Sequence, residues 1–153
     1  MAVWRLMTHH DDPAYALSWS RKEGRIALGW GRVGDIREGY GSRREVAQAV
    51  KKFFADRNNS VEGGHCLWNF CHDVKEGDLV ILNTPGRREL VVEVDGPYEW
   101  IPKEEALPLG NYQHQRKVHI RSDLNADQLW KQAGGRAADG WSIRWALVKV
   151  GQE

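Results

Sequence analysis

Apolar residues along this chain fall into short runs, and turn residues punctuate them. Ala2 to Leu6 predicts a first strand with Trp4 on one face, and Arg25 to Trp30 a second. Leu79 to Leu82 is a continuous apolar run of strand length. Leu90 to Val94 is a β-branched run, and Pro85-Gly86 between the two marks a hairpin turn. Gln113 to Ile120 predicts a further strand, with His114, Arg116 and Val118 on one side. Trp141 to Val150 predicts a closing strand that alternates Ile143, Trp145, Leu147 and Lys149.

Helical periodicity is clearest from Ser42 to Arg57. Ser42 and Glu45 form a capping-box pattern, and Val46, Val50, Phe53 and Phe54 recur as one buried stripe. Asp123 or Asn125 is placed to cap a short helix through Trp130, stopped by Gly134-Gly135. Tyr15 to Trp19 fits either period. Pro102 to Gly110 reads as a loop, as does the polar His9-His10-Asp11-Asp12-Pro13. No repeat or linker interrupts the 153 residues, so the expectation is a single α+β domain over 1–153.

Composition adds one anomaly. The chain carries eight Trp against four Tyr and three Phe. A flat ring with one N–H donor suits a core, an aromatic cage or a stacking platform. Charge is uneven along a chain of net +1: Arg21 to Arg57 holds ten basic and five acidic residues, and Val61 to Gly110 holds ten acidic and four basic. That asymmetry fits a charged partner, or simply solvated faces of different composition. Cys66 and Cys71 are the only cysteines. With no signal peptide or membrane-spanning run, reduced thiols and a cytoplasmic location are the default.

The stretch from Cys66 to Trp100 concentrates candidate chemistry. Trp68, Tyr98 and Trp100 sit near strand ends, and Asn69 lies between two aromatics. Three glycines around Trp30, Gly31 among them, predict backbone that turns sharply or approaches something closely. Each Trp is as well explained by a core. Asp78 is able to receive an exocyclic amine, but its simpler role is to accept N–H groups of its own turn. Arg32, Arg37, Arg43, Arg44, Lys51 and Lys52 are phosphate-contact candidates, though a solvated helix face explains the last four equally well. His65-Cys66 and Cys71-His72 invite a metal, but cysteines five apart on a helix do not converge, so no metal or cofactor is expected. There is no nucleophile elbow, phosphate loop or His-Glu-x-x-His pattern.

The ordered set Ile26-Ala27-Leu28-Gly29-Trp30-Gly31 with Gly34-Asp35, Leu67-Trp68-Asn69-Phe70, Lys75-Glu76-Gly77-Asp78-Leu79-Val80, Val94 to Trp100, and His114-Gln115-Arg116-Lys117-Val118 resembles EVE-type domains. These belong to the PUA-like group, which also contains the YTH domains. The nearest resemblance is to the N-terminal domains of Mrr-type modification-dependent restriction enzymes. It implies a curved, PUA-like β-barrel of about five to six strands with two or three helices around it. It also implies a pocket for a flipped, often methylated, base. On that reading Trp30, Gly31, Trp68, Asn69, Phe70, Asp78, Tyr98 and Trp100 bind the base. Arg32, Arg37, Arg43, Arg44, His114 and Arg116 hold phosphates. The implied partner is nucleic acid with a modified base, DNA favoured over RNA, with a separately encoded nuclease as a further candidate partner and no membrane. Ile120 departs from the pattern, since a Trp is expected there, and no nuclease domain follows. The alternatives are a small nucleotide-acting hydrolase using His114 or Asp78 as general base, and an aromatic peptide-binding module.

Overall fold

A computed structural model describes residues 1–106, 110–136 and 145–151. Six strands form one mixed sheet: β1 (Val3–Met7), β2 (Arg25–Leu28), β3 (Leu79–Thr84), β4 (Arg87–Trp100), β5 (His114–Ile120) and β6 (Leu147–Lys149), in the order β2-β5-β4-β3-β1-β6. All neighbours are antiparallel except β1 and β3, which run parallel. Five α-helices accompany them: α1 (Pro13–Glu23), α2 (Ile36–Gly39), α3 (Arg43–Phe53), α4 (Ser60–Trp68) and α5 (Ala126–Gln132).

The alternation of β3 explains why its run is apolar throughout. Val80 and Leu82 pack with Val46 and Val50 of α3 and Cys66 and Leu67 of α4. Leu79 and Ile81 face the other way, onto Ala126, Leu129 and Trp130 of α5. A strand covered on both sides has no polar face to show. The same layering accounts for a departure from expectation. Among the described residues the sheet is open, not a barrel: with helices on both faces, burial is achieved by layers rather than by closure.

Several elements sit where the pattern placed them. Ser42 caps α3 by accepting from the Glu45 N–H at 3.2 Å, and Asn125 caps α5 through the Gln128 N–H at 2.9 Å. The ambiguous Tyr15–Trp19 segment is helical, started by Asp12 with Pro13 at the first position and stopped by Gly24 in the left-handed region. Gly96-Pro97, read as a strand end, is a bulge inside β4. Val94 pairs with Val118 and Tyr98 with Arg116, so β4 carries two more residues than β5 across that interval. Helix α4 was not expected, and more helices form than the two or three foreseen. The expected closing strand is only partly within the described residues: Trp141 and Ile143 lie outside them, as do 107–109 of the Pro102–Gly110 loop.

Among the described residues, no helix is long and apolar enough to cross a membrane.

Candidate functional site

Strand β2 ends at Leu28, and the chain then passes through Gly29-Trp30-Gly31. Trp30 is the one non-glycine among the described residues with positive φ, at 61°. A bulky residue in the left-handed region is strained, at roughly 1–2 kcal/mol, and persists only when its surroundings hold it. Here they do. The Trp30 carbonyl accepts from Val33 N–H at 3.1 Å and from His114 Nε2 at 3.1 Å. Gly31 donates to the Asn111 carbonyl at 2.8 Å and accepts from Trp100 Nε1 at 2.9 Å. A Cβ on Gly31 would lie 2.4 Å from Gln113 Oε1 and 2.5 Å from the Asn111 carbonyl, so only glycine fits. The half-buried Trp30 indole lies against α4, where a Cβ on Gly63 would come within 3.1 Å of the ring.

This loop is one wall of a cleft of about 670 Å³. Tyr112, His9, Phe54, Asn59 and Asn111 line it as well, and buried Met7 and Leu28 add apolar surface. His9 packs at a tilt against Tyr112 with ring centroids 4.4 Å apart, and stacks at 5.2 Å on His10. Burial pushes the Tyr112 hydroxyl pKa up to about 12, so the phenol is neutral. The C-terminal end of α3 reaches the cleft through Phe54 and Arg57. Arg32 lies 5.6 Å over the Phe54 ring, and Arg44, Lys51 and Lys52 stand exposed on α3. Aromatic walls and amide side chains, with Asp11, Asp12 and Arg57 as the charged lining residues, make a cleft suited to a flat, polar-edged ligand.

The structure divides the sequence-predicted site. Trp30 lines the cleft, but Gly31, Trp68 and Trp100 do not. The expected convergence of three indoles is therefore not present. Trp100 acts from behind by holding Gly31, and Trp68 packs instead with His72 at 4.1 Å and Arg43 at 5.8 Å. Asn69 accepts from Arg43 at 3.0 Å, and that guanidinium also pairs with Asp73 at 2.6 Å. Phe70 and Tyr98 are core residues in edge-to-face contact. Asp78 is buried, does not line this cleft, and accepts from the Ala2 and Lys75 N–H groups and from Trp4 Nε1, at 2.9–3.0 Å, so its carboxylate serves the fold.

Two of the phosphate-binding candidates are corrected. His114 is fully buried, with both ring nitrogens engaged by Tyr98 Oη and the Trp30 carbonyl. Desolvation lowers its pKa to about 4, so it is neither a phosphate contact nor a solvent-linked base. Arg116 is buried as well. It donates to the carbonyls of Gly96, Phe70 and Val74, which ties the β4 bulge to the turn at Asn69–Asp73. Arg37 is exposed but paired with Asp35 at 2.7 Å and stacked 5.3 Å over Tyr98. Arg32 and Arg44 remain exposed.

Among the described residues, no group of three metal-capable side chains includes either cysteine. The Cys66 thiol is buried and bonded to Leu147, with its pKa pushed up to about 11. Among the described residues, His9, His10 and Asp11 do bring ligand atoms within 4.8 Å of one another. However, His9 Nδ1 accepts two backbone N–H groups, from Asp11 and Asp12, both at 2.9 Å. That puts the neutral ring's proton on Nε2, leaving no lone pair for a cation in this state.

His9 lies in a polar loop, and Asn59, Asn111 and Tyr112 fall between predicted elements, so none was singled out. The only signal was indirect: polar loops flanking a Gly-Trp-Gly.

A family model described as "Domain of unknown function (DUF8426)" matches residues 4–132. No curated protein matches the chain.

Proposed function

The chain belongs to the DUF8426 family, and we propose that it is a nucleic-acid-binding module that takes a single, flipped, modified base into the Trp30 cleft, in DNA rather than RNA. The observation that carries this reading is the strained backbone of Trp30 at the wall of an aromatic cleft. Strain of this kind collects where a side chain must be presented at a fixed angle. A base stacked on an aromatic side chain contributes roughly 1–3 kcal/mol, which offsets the few kcal/mol needed to unstack it from the duplex. Trp30 and Tyr112 are the stacking surfaces, and the amides of Asn59 and Asn111 are suited to a base edge. Arg57 at the cleft and Arg32 over the Phe54 ring are the candidate contacts for the flanking phosphates. The ordered motifs that resemble EVE-type domains support the same reading, and a separately encoded nuclease is the effector it would serve.

The test is a titration of wild type and Trp30→Ala with matched modified and unmodified oligonucleotides, single- and double-stranded, DNA and RNA, at several salt concentrations. Binding that weakens steeply with salt, and a modified-base preference lost in Trp30→Ala, is the expected result. Salt-independent affinity, or a folded Trp30→Ala protein with unchanged preference, removes the proposal.

A further inference from the structure

Helix α4 runs between two depressions in the surface. Asn59, its N-cap, lines the Trp30 cleft, and Asn69, its C-cap, lines a second, open depression of about 710 Å³. At a rise of 1.5 Å per residue the two ends stand about 15 Å apart. The second depression is basic. Arg43, Lys75 and Lys149 border it, and the two lysines are exposed. Of its carboxylates, Asp73 is paired with Arg43 at 2.6 Å, and Asp78 is buried on three N–H groups.

Trp145 links the two. Its chain neighbour Ala146 lines the Trp30 cleft, and His65, with ring centroids 5.8 Å from the indole, borders the basic depression. The Trp145 side chain is 37% exposed, and Val61, one turn before His65 on the same face of α4, is exposed as well. A lone apolar side chain in solvent needs no explanation. This one is held in place. Its carbonyl accepts from the buried Arg5 guanidinium at 2.6 Å, the Ala146 carbonyl accepts from Met7 N–H at 2.8 Å, and Leu147 N–H reaches the Cys66 thiol of α4 at 3.4 Å. The backbone is fixed against β1 and α4 while the ring stands in water.

We propose that the strand delivering the base runs from the Trp30 cleft along α4, lays a neighbouring base on Trp145 and sets the next phosphates against Lys149 and Lys75, so that the partner is single-stranded nucleic acid. This rests on the base-binding reading of the Trp30 cleft. An indole stacks any base, because every base has a π-face. The base laid on it is unpaired, which a duplex supplies only by opening a second position. The cations beyond add affinity without sequence information. An acidic polypeptide would meet the same charges, but carries nothing flat to lay on Trp145.

The experiment uses the full chain and a single-stranded DNA of about eight residues with one central 5-methylcytosine, its unmodified counterpart, and each annealed to its complement. The single strands should bind at least about tenfold more tightly than the duplexes. Trp145→Ala, confirmed folded by thermal melt, should weaken both single strands about tenfold, leaving the ratio between them and the salt slope unchanged. Trp145→Phe, which keeps a ring, should retain most of the affinity. Lys149→Ala should lower the salt slope by about one. Equal affinity for single strand and duplex overturns the inference, as does wild-type affinity in folded Trp145→Ala, or a salt slope unmoved in both Lys149→Ala and Lys75→Ala. Displacement of the strand by poly-glutamate at equal charge concentration also overturns it, and assigns the surface to an acidic protein. Affinity that does not depend on Trp30 instead removes the base-binding reading itself, and this inference with it.

Discussion

His114 Nε2 donates to the carbonyl oxygen of Trp30 across 3.1 Å, and that bond sets the protonation of the groups behind it. A carbonyl only accepts, so Nε2 carries the ring proton. Nδ1 must then accept, and it does so from the Tyr98 hydroxyl at 2.6 Å. The Tyr98 oxygen in turn accepts from Ile36 N–H at 3.1 Å. Every member is satisfied with a neutral imidazole, and the chain runs from α2 through the core to the strained residue at the cleft.

A pH dependence of stability follows. His114 has a pKa of about 4 when folded, against 6.5 when unfolded. Above 6.5 both states are neutral and the group has no effect. As pH falls from about 6.5 toward 4 the unfolded state takes up the proton first, so stability drops. Below about 4 both states are protonated and the loss levels off, at roughly 3 kcal/mol in all. Urea denaturation between pH 4 and 7 should show this slope, and it should flatten in His114→Gln. An identical slope in that variant would assign the acid sensitivity elsewhere.

Gly64 on α4 is expected to reject alanine. A Cβ there would lie 2.7 Å from Ala47 Cβ and its backbone nitrogen on α3, so the two helices would have to separate. Overpacking of this kind costs roughly 1–3 kcal/mol, which outweighs the gain of about 1 kcal/mol in helix propensity. Gly39 on α2 has open space around it, so Gly39→Ala should be neutral or slightly stabilising. Paired thermal melts of the two variants check the difference in sign.

That helix pair also shows where sequence reading reached its limit. The strands, the Ser42 cap and the Asn125 cap follow from local chemistry, and local chemistry is visible in one stretch of chain. Helix α4 went unexpected, and the reason for its Gly63-Gly64 pair, the approach of Trp30 and Ala47 from elsewhere, is not visible in the local stretch. Gly96-Pro97 reads as a strand end, because the group that fills the bulge is Arg116, twenty residues on. At the site, Trp30 was legible from its glycines. Asn59, Asn111 and Tyr112 were not, since nothing in a polar loop says which cleft it will border. His114 and Arg116 looked like surface cations because the burial of β5 depends on layers added by distant helices.

Asp78 should not tolerate its amide. Its carboxylate accepts three N–H groups, from Ala2, Lys75 and Trp4, that tie the chain start to the turn before β3. In Asp78→Asn one oxygen becomes an NH₂ group facing a donor, and at least one N–H is left unpaired. A loss of about 2–3 kcal/mol is expected in chemical denaturation. The cleft lies elsewhere, so oligonucleotide affinity of the folded fraction should be unchanged.

The last prediction separates the Trp30 ring from its backbone. Trp30→Ala and Trp30→Gly both remove the indole, so both lose its packing against α4 and both should lose binding. They differ in one respect. Alanine must still occupy φ 61°, where its Cβ crowds the following carbonyl, whereas glycine enters that region freely. Glycine elsewhere usually lowers stability relative to alanine, because the unfolded chain gains freedom. Here the order should invert, with Trp30→Gly about 1 kcal/mol more stable than Trp30→Ala in urea titration. The His114 and Val33 bonds to the residue-30 carbonyl are backbone bonds and persist in both. A glycine variant equal to or less stable than the alanine variant would mean that no strain is stored at residue 30, and the argument that its backbone is held for presentation of the ring would fall.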